Sequence, residues 1–346
     1  MTRYVSIALG ILASGLFLLA SCSQPELAGQ QTQASGNQPG ANTQGTEAPA
    51  TEAPAVTPGT KSLEDKLADG QASNDTIIIG SFNLMNFGKS KMANDRAMDI
   101  LAKTLHRYDL AAVQEIENLE GTAIIALRDR MNALQPARRY EVVVGERVGT
   151  NAKEQYAFIY DTTTINYTGE SYTFNDAQNK FERPPFVARF TVTKGTAKEE
   201  GATTSAFDFA LVNIHTKPDN ATTEIMALED VIIEAQTRLN EKDVIALGDY
   251  NAGGSYFNTK TMTSGIRDTT RWLWIIPDGA DTTLAAGNEN TYDRIVAPKQ
   301  FTEEDYAGNW NVFRFDREYG IPNTEAKTIS DHYAVEAVFF TTKDSD

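Results

Sequence analysis

Eight side chains that can move protons or hold a hard cation fall where short apolar segments begin or end. Asn83 closes TIIIGSFN, Glu115 lies near the end of DLAAVQEI, and His215 ends FDFALVNIH. Asp249 and Asn251 close DVIALGDYN, Asp293 opens DRIVAP, and Asp331 and His332 lead into YAVEAVFF. An imidazole transfers protons near neutral pH. Carboxylate and amide oxygens suit magnesium-type ions, which take few ligands from protein and keep water; Asn83, Glu115, Asp249 and Asp331 are oxygen donors available to such an ion. Taken singly, each residue has an ordinary explanation as a turn residue, a helix cap or a satisfied polar group. The chain has three histidines, and two of them occupy such ends. His106, within a helical pattern beside Arg107, keeps the ordinary explanation. Strand ends are where α/β folds gather ligands. Asp249 and Asn251, two apart on a strand, face one side, and Gly253 and Gly254 let the backbone turn away.

The elements that must position these groups begin at Thr76 and run to about Thr342. Nine segments are short, rich in β-branched and aromatic residues, and bounded by turn residues: TIIIGSFN, DLAAVQEI, YEVVVGE, QYAFIYD, FVARFTVT, FDFALVNIH, DVIALGDYN, YDRIVAP and HYAVEAVFF. NDRAMDILAKTLHRY reads as a helix, as does ATTEIMALEDVIIEAQTRL, where Ile225, Leu228, Val231, Ile232, Ala235 and Leu239 make one stripe.

The order SFNLMNFG, VQEI, KEQYAFIY, FERPPFVARF, NIHTKPDNATTEIMALEDV, GDYNAGGSY, WIIPDGADTT, TYDRIVA and ISDHYAVE resembles the deoxyribonuclease I branch of the endonuclease/exonuclease/phosphatase family, over roughly Ile77 to Phe340. GDYN and SDHY point only to the superfamily; KEQY, WIIPDGADTT and TYDRIV narrow it to the nuclease branch. The resemblance implies a four-layered α/β sandwich, two packed, mostly antiparallel sheets flanked by helices, over residues 74–346. It implies a metal-dependent, largely sequence-nonspecific endonuclease acting on DNA with Mg²⁺ or Mn²⁺. Two histidine–carboxylate pairs would flank the scissile phosphate, His215 with Glu154 and His332 with Asp293. We assign His332 to activating water and His215 to protonating the leaving 3′ oxygen; the reverse assignment also fits such a symmetric site. Asp249 and Asn251 would hold a metal, the water or a phosphate oxygen, and Arg183 would grip a backbone phosphate in bidentate fashion. Asp281 and Thr283 match a structural calcium loop of the family, with a capped turn as the alternative. On the same fold, a phospholipid phosphodiesterase, a phosphomonoesterase and a non-catalytic surface binding module are the competing functions.

The chain departs from the family in three places. Gly253 and Gly254 lie where vertebrate relatives carry a disulfide cysteine, and Asn290 matches its partner. Glu117 follows VQEI where a groove-inserting arginine is expected, and Ala152 precedes KEQY where a tyrosine is expected. A carboxylate is unfavourable in a groove of negative potential, so duplex DNA would be gripped differently, and single strands or RNA are admitted as partners.

The chain has 346 residues and a formal net charge of −16. That charge argues against a binder that works through a basic face, although divalent cations can offset repulsion locally. Its single cysteine, Cys22, excludes an intramolecular disulfide. Residues 1–22 resemble a bacterial lipoprotein signal peptide, with Cys22 as the lipidated residue after Leu-Ala-Ser; an ordinary secretory signal is the alternative. Residues 23–73 are Gln-, Ala-, Gly-, Thr- and Pro-rich, with the near-repeat TEAPATEAPA, and read as a disordered tether. The expectation is an exported, monomeric protein, lipid-anchored at the bacterial cell surface or outer membrane, or released from it.

Overall fold

The computed structural model describes residues 75–150, 153–194, 206–285 and 290–344. The expected signal peptide with Cys22, the tether and Ala152 lie outside the described residues. The strands, in chain order, are β1 (Thr76–Phe87), β2 (Leu110–Ile116), β3 (Tyr140–Val144), β4 (Gln155–Asp161), β5 (Ile165–Thr173), β6 (Phe186–Val192), β7 (Asp208–His215), β8 (Val244–Asp249), β9 (Trp272–Trp274), β10 (Asp293–Pro298), β11 (Tyr306–Phe313) and β12 (Ala334–Phe340). The principal helices are α1 (Asp95–Leu105), α2 (Thr122–Leu134), α3 (Ala221–Leu239) and α4 (Asn323–Ile329). The strands form two six-stranded sheets, ordered β11-β12-β1-β2-β4-β3 and β5-β6-β7-β8-β10-β9.

Three apolar layers hold four structural ones together. Strand alternation decides which side chain enters which layer. Ile77 and Ile79 of β1 point between the sheets, where they join Leu110, Phe158, Phe190, Phe209, Leu247, Ile295 and Phe339. Ile78, between them in sequence, faces outward to Met98 and Leu101 of α1 and Leu127 of α2. On the far side, the stripe of α3 that carries Ile225, Leu228, Val231 and Ile232 covers Val212, Val244 and Ala246. The result is the expected four-layered α/β sandwich, with each sheet mostly antiparallel around one parallel pair.

Each sheet contains one parallel pair, β1 with β2 and β7 with β8. A parallel pair needs a crossover, and α1 and α3 supply them. The consequence is functional: partnered strands end side by side. Asn83 and Glu115 come from one pair, His215 and Asp249 from the other. In the second sheet Asp249 stands opposite both His215 and Asp293. This close pairing depends on Gly248. Its φ is +146°, and a Cβ there would lie 1.9 Å from the Ile214 carbonyl oxygen, a separation no side chain tolerates.

Nine expected strands and both expected helices are present. Three strands were not expected: β5, β9 and β11, each at the edge of its sheet. The helices α2 and α4 were not expected either. Asn118 starts α2 from outside, its Oδ1 accepting the Ala123 N–H at 2.9 Å, with Gly121 between them at φ +67°.

Candidate active site

Polar side chains inside the apolar strands bolt the two sheets together beneath the site. Gln114 of β2 donates from Nε2 to Asn213 Oδ1 of β7 at 2.8 Å. Asn213 in turn donates to the carbonyls of Val113 and Ala157, each at 3.1 Å. All of these groups are buried, so each bond is worth keeping: an unpaired polar atom here costs about 1–3 kcal/mol. The bolt fixes the spacing of the strand ends that follow it, Glu115 one residue later and His215 two later.

His215 and His332 face one atom. His215 Nδ1 lies 3.0 and 3.1 Å from the two oxygens of Glu154. His332 Nδ1 lies 2.8 Å from Asp293 Oδ2. The opposite ring nitrogen of each, Nε2, is 3.5 Å from the same oxygen, Asp249 Oδ2. Both imidazoles, Glu154, Asp249 and Asp293 are buried. Burial lowers the His332 pKa, but the charges of Asp293 and Asp249 outweigh it and hold the imidazole well above its usual value. For His215, burial is likewise overcome by Glu154, and the pKa is raised. For Asp249, burial raises the pKa, yet the charges of His332 and His215 with the Asn251 N–H bring it below the usual carboxylate value.

Asn83 joins this group to Glu115. Its Nδ2 donates to Glu115 Oε1 at 2.9 Å and to Asp249 Oδ2 at 3.1 Å, while its Oδ1 accepts the Met85 N–H at 2.8 Å. Glu115 has φ +60° at an irregularity in β2, and this turn swings its carboxylate toward Asn83. A carboxylate side chain in that backbone region costs of order 1–3 kcal/mol and is concentrated at functional sites. Asn251, at φ +47°, donates from Nδ2 to the Thr216 carbonyl at 3.0 Å, and its N–H donates to Asp249 Oδ1 at 2.9 Å.

Two carboxylates, Glu115 and Asp249, meet across a neutral amide, with Glu115 only half-buried. That is a hard oxygen set with an open side, and it fits a magnesium-type ion. The ligand atoms of Asp249, Asp293 and His332 also lie within 4.8 Å of one another. There, however, Asp293 Oδ2 is committed to the His332 Nδ1, so only Asp249 and the imidazole Nε2 face the space between them. Asp331 is not among the carboxylates bonded to Asn83, although its charge reaches Lys91 and His332. Its side chain is exposed, because the adjacent His332 takes the inward position, and its carbonyl accepts the Leu284 N–H at 2.8 Å.

Arg183 is buried beneath His215 rather than presented at the surface. Its Nε and Nη2 donate to the carbonyls of His215 and Thr216, each at 3.0 Å. Its side-on face is therefore spent on the backbone, and burial keeps the guanidinium from the expected surface grip. The loop expected to bind calcium is also occupied. Asp281 Oδ2 forms an ion pair with Arg314 Nη2 at 2.9 Å, so the Asp281–Thr283 pair does not fit a calcium ion. Gly253 and Gly254 need no disulfide: a Cβ on either would crowd Thr291 or Asn290 at 3.2 and 3.1 Å, and Arg294 Nη2 holds the Ala252 carbonyl at 3.0 Å. His106 lies at the end of α1 against the Tyr140 ring.

Three site residues escaped the sequence reading. Ser330 Oγ donates to the Asn83 carbonyl at 2.8 Å and accepts the His332 N–H at 3.0 Å. Tyr156 Oη accepts the His215 N–H at 3.0 Å. Lys91 donates from Nζ to the carbonyls of Leu84, Met85 and Ile329. Burial brings its pKa down to about 8, against the charges of Glu115, Asp331 and Glu117. The polar residues within AAVQEI and LVNIH were a legible signal for the Gln114–Asn213 bolt.

Comparison with known proteins agrees with this geometry. The model of the Endonuclease/Exonuclease/phosphatase family matches residues 80–332. Deoxyribonuclease-1 of Equus caballus is 35% identical over 269 residues, 75% of this chain and 91% of that protein. Deoxyribonuclease-1 of Homo sapiens is 34% identical over 271 residues, and deoxyribonuclease gamma of Rattus norvegicus 33% over 269. Those matches cover 76% and 75% of this chain, and 92% and 84% of the two relatives. A solved endonuclease/exonuclease/phosphatase family protein from Bacteroides thetaiotaomicron superposes with a TM-score of 0.50 at 15% identity, covering 77% of this chain and 98% of its own. A family match across most of the chain, with relatives above 30% identity over nearly their full length, establishes that this chain belongs to the endonuclease/exonuclease/phosphatase family.

Proposed function

We propose that this protein is a divalent-metal-dependent, largely sequence-nonspecific endonuclease that hydrolyses phosphodiester bonds of extracellular DNA to 5′-phosphorylated products. The observation that carries the reading is the convergence of two carboxylate-backed imidazoles on one oxygen, Asp249 Oδ2. In-line hydrolysis needs one group to take a proton from water and another to give one to the leaving oxygen. His332, with Nδ1 held by Asp293, presents Nε2 as the base. His215, held by Glu154, presents Nε2 as the acid to the 3′ oxygen. The water oxygen bonds to phosphorus, the P–O3′ bond breaks, the upstream fragment leaves with a 3′ hydroxyl, and the downstream fragment keeps the phosphate on its 5′ oxygen. Glu115 and Asp249, held together by the Asn83 Nδ2, would hold the divalent ion, which when bound supplies positive charge for the phosphoryl oxygens; the Asn83 oxygen, expected as a ligand, is taken by the Met85 N–H. Asp249 balances whichever imidazole is protonated, and Asn251 stands beside it to orient a phosphate oxygen. Arg183 works from below, fixing the His215 and Thr216 carbonyls and adding positive charge under the phosphate. The N-terminal lipobox-like segment supports an exported, lipid-anchored location.

The test is a purified protein offered supercoiled plasmid, a phospholipid and a phosphomonoester, each with Mg²⁺ and with a chelator. Plasmid nicking abolished by the chelator and by His332→Ala supports the proposal. Release of phosphate from the monoester, or of headgroup from the lipid, beside intact plasmid moves the activity to that substrate. A folded protein inert toward all three would be a binding module.

A further inference from the structure

Arg314 is poised where the loop Pro277–Leu284 presents its oxygens. One guanidinium nitrogen, Nη2, lies 2.9 Å from Asp281 Oδ2 and 3.4 Å from the Asp281 main-chain oxygen. Those are the carboxylate and carbonyl oxygens that a hard cation would claim. The guanidinium carbon lies 4.9 Å from the centre of the Tyr333 ring, and Tyr333 Oη in turn donates to Asp316 at 3.0 Å. The cation is thus held from two sides. The loop it neutralises pairs directly with the segment carrying a proposed catalytic residue. Thr283 forms an antiparallel bridge with His332, the Leu284 N–H donates to the Asp331 carbonyl at 2.8 Å, and the Tyr333 N–H donates to the Thr282 carbonyl at 2.7 Å. Thr282 Oγ1 also accepts the N–H of Asp293, the partner of His332, at 3.2 Å.

We propose that the guanidinium of Arg314 takes the place of a structural divalent cation in this loop and, through the Thr283–His332 bridge, sets the position of His332. Arg314 is a positioning residue: it reaches the reacting atoms only through the loop. One feature points the other way. Thr283 Oγ1 is buried without a hydrogen-bond partner among the described residues, an oxygen that an ion could still use. A single neutral hydroxyl beside a fixed positive charge is nevertheless a poor site, since calcium takes six to eight oxygens.

Thermal unfolding in saturating MgCl₂, which fills the Glu115–Asp249 set, without and then with millimolar CaCl₂, for the wild type, Arg314→Gln and Arg314→Lys, tests the substitution. The wild-type midpoint is expected not to move with calcium. Arg314→Gln should melt about 3 °C lower, regain part of that loss with calcium, and Arg314→Lys should fall between. Equal calcium stabilisation of the wild type and Arg314→Gln would overturn the proposal, as would an Arg314→Gln protein indistinguishable from wild type in both buffers. Should Arg314→Gln fail to fold, calcium titration calorimetry of the wild type in the same MgCl₂ decides: no heat supports the proposal, and a one-to-one site abolished by Asp281→Asn overturns it. The positioning half rests on the hydrolase reading. It expects kcat for plasmid nicking by folded Arg314→Gln to fall about tenfold with KM unchanged, and Arg314→Lys to recover part of it. Unchanged kcat overturns that half. An inert wild type removes the hydrolase reading, while the thermal comparison still decides whether Arg314 replaces the cation.

Discussion

At the scale of single residues, the site consists of charges that would be costly apart. His215 and His332 are buried beside three carboxylates, and their protonated forms are stabilised by those neighbours. Both pKa values are raised, so both contributions to stability are complete below the unfolded imidazole value of about 6.5 and are lost as pH rises through the folded values. In chelator, the stability advantage of the wild type over His332→Asn is therefore expected to shrink as pH climbs from about 6.5. Denaturant titrations at a series of pH values measure it, and an advantage constant across that window contradicts the assignment. The proposed catalysis requires one imidazole neutral and the other protonated, which predicts a bell-shaped pH profile whose limbs belong to the pair. His215→Ala and His332→Ala should each lower kcat by on the order of 10²-fold or more. Steady-state nicking rates read this directly, and near-full turnover in either variant removes that histidine from the chemistry.

At the scale of elements, the parallel pairs β1–β2 and β7–β8 are what place Asn83, Glu115, His215 and Asp249 at one end of the molecule. The interior strands were legible because both faces are buried, leaving near-continuous runs such as VIALGD. The edge strands were not. β5 is mostly exposed and its burial shows no clean alternation, and β11 contains Gly308 and two asparagines. A strand paired on one side only need not be apolar. The same limit hid α2, whose cap lies outside the helix and whose stripe is short. Within the site, residue types at strand ends were readable, but side-chain direction was not. Arg183 and Asp331 sit beside the right neighbours in sequence, yet one is turned under the site and the other out to solvent. Gly248 tests the account at this scale. A Cβ there would meet the Ile214 carbonyl at 1.9 Å in a backbone region that strains any side chain. Gly248→Ala should lose at least about 2 kcal/mol of stability and misplace Asp249. Chemical denaturation provides the check, and a wild-type midpoint would show that the strands have slack.

At the scale of the whole molecule, the proposed function sets a formal net charge of −16 against a polyanion. Glu117 concentrates the difficulty at the rim: burial and the charges of Glu115 and Glu154 raise its pKa, which marks it as close to the site carboxylates. Glu117→Arg should tighten duplex binding about tenfold and steepen the dependence of log Kd on log salt by about one. Fluorescence anisotropy across a salt series measures both; no change in either would place the duplex contact elsewhere. The two sheets, the Gln114–Asn213 bolt between them and the loops around Asp249 all serve one spatial claim, that both imidazoles address one phosphate. A crystal structure with a bound 5′-phosphorylated oligonucleotide tests it most directly. The account predicts the terminal phosphate within hydrogen-bond reach of Nε2 of both His215 and His332; a phosphate held by only one of them, or seated away from both, would contradict it.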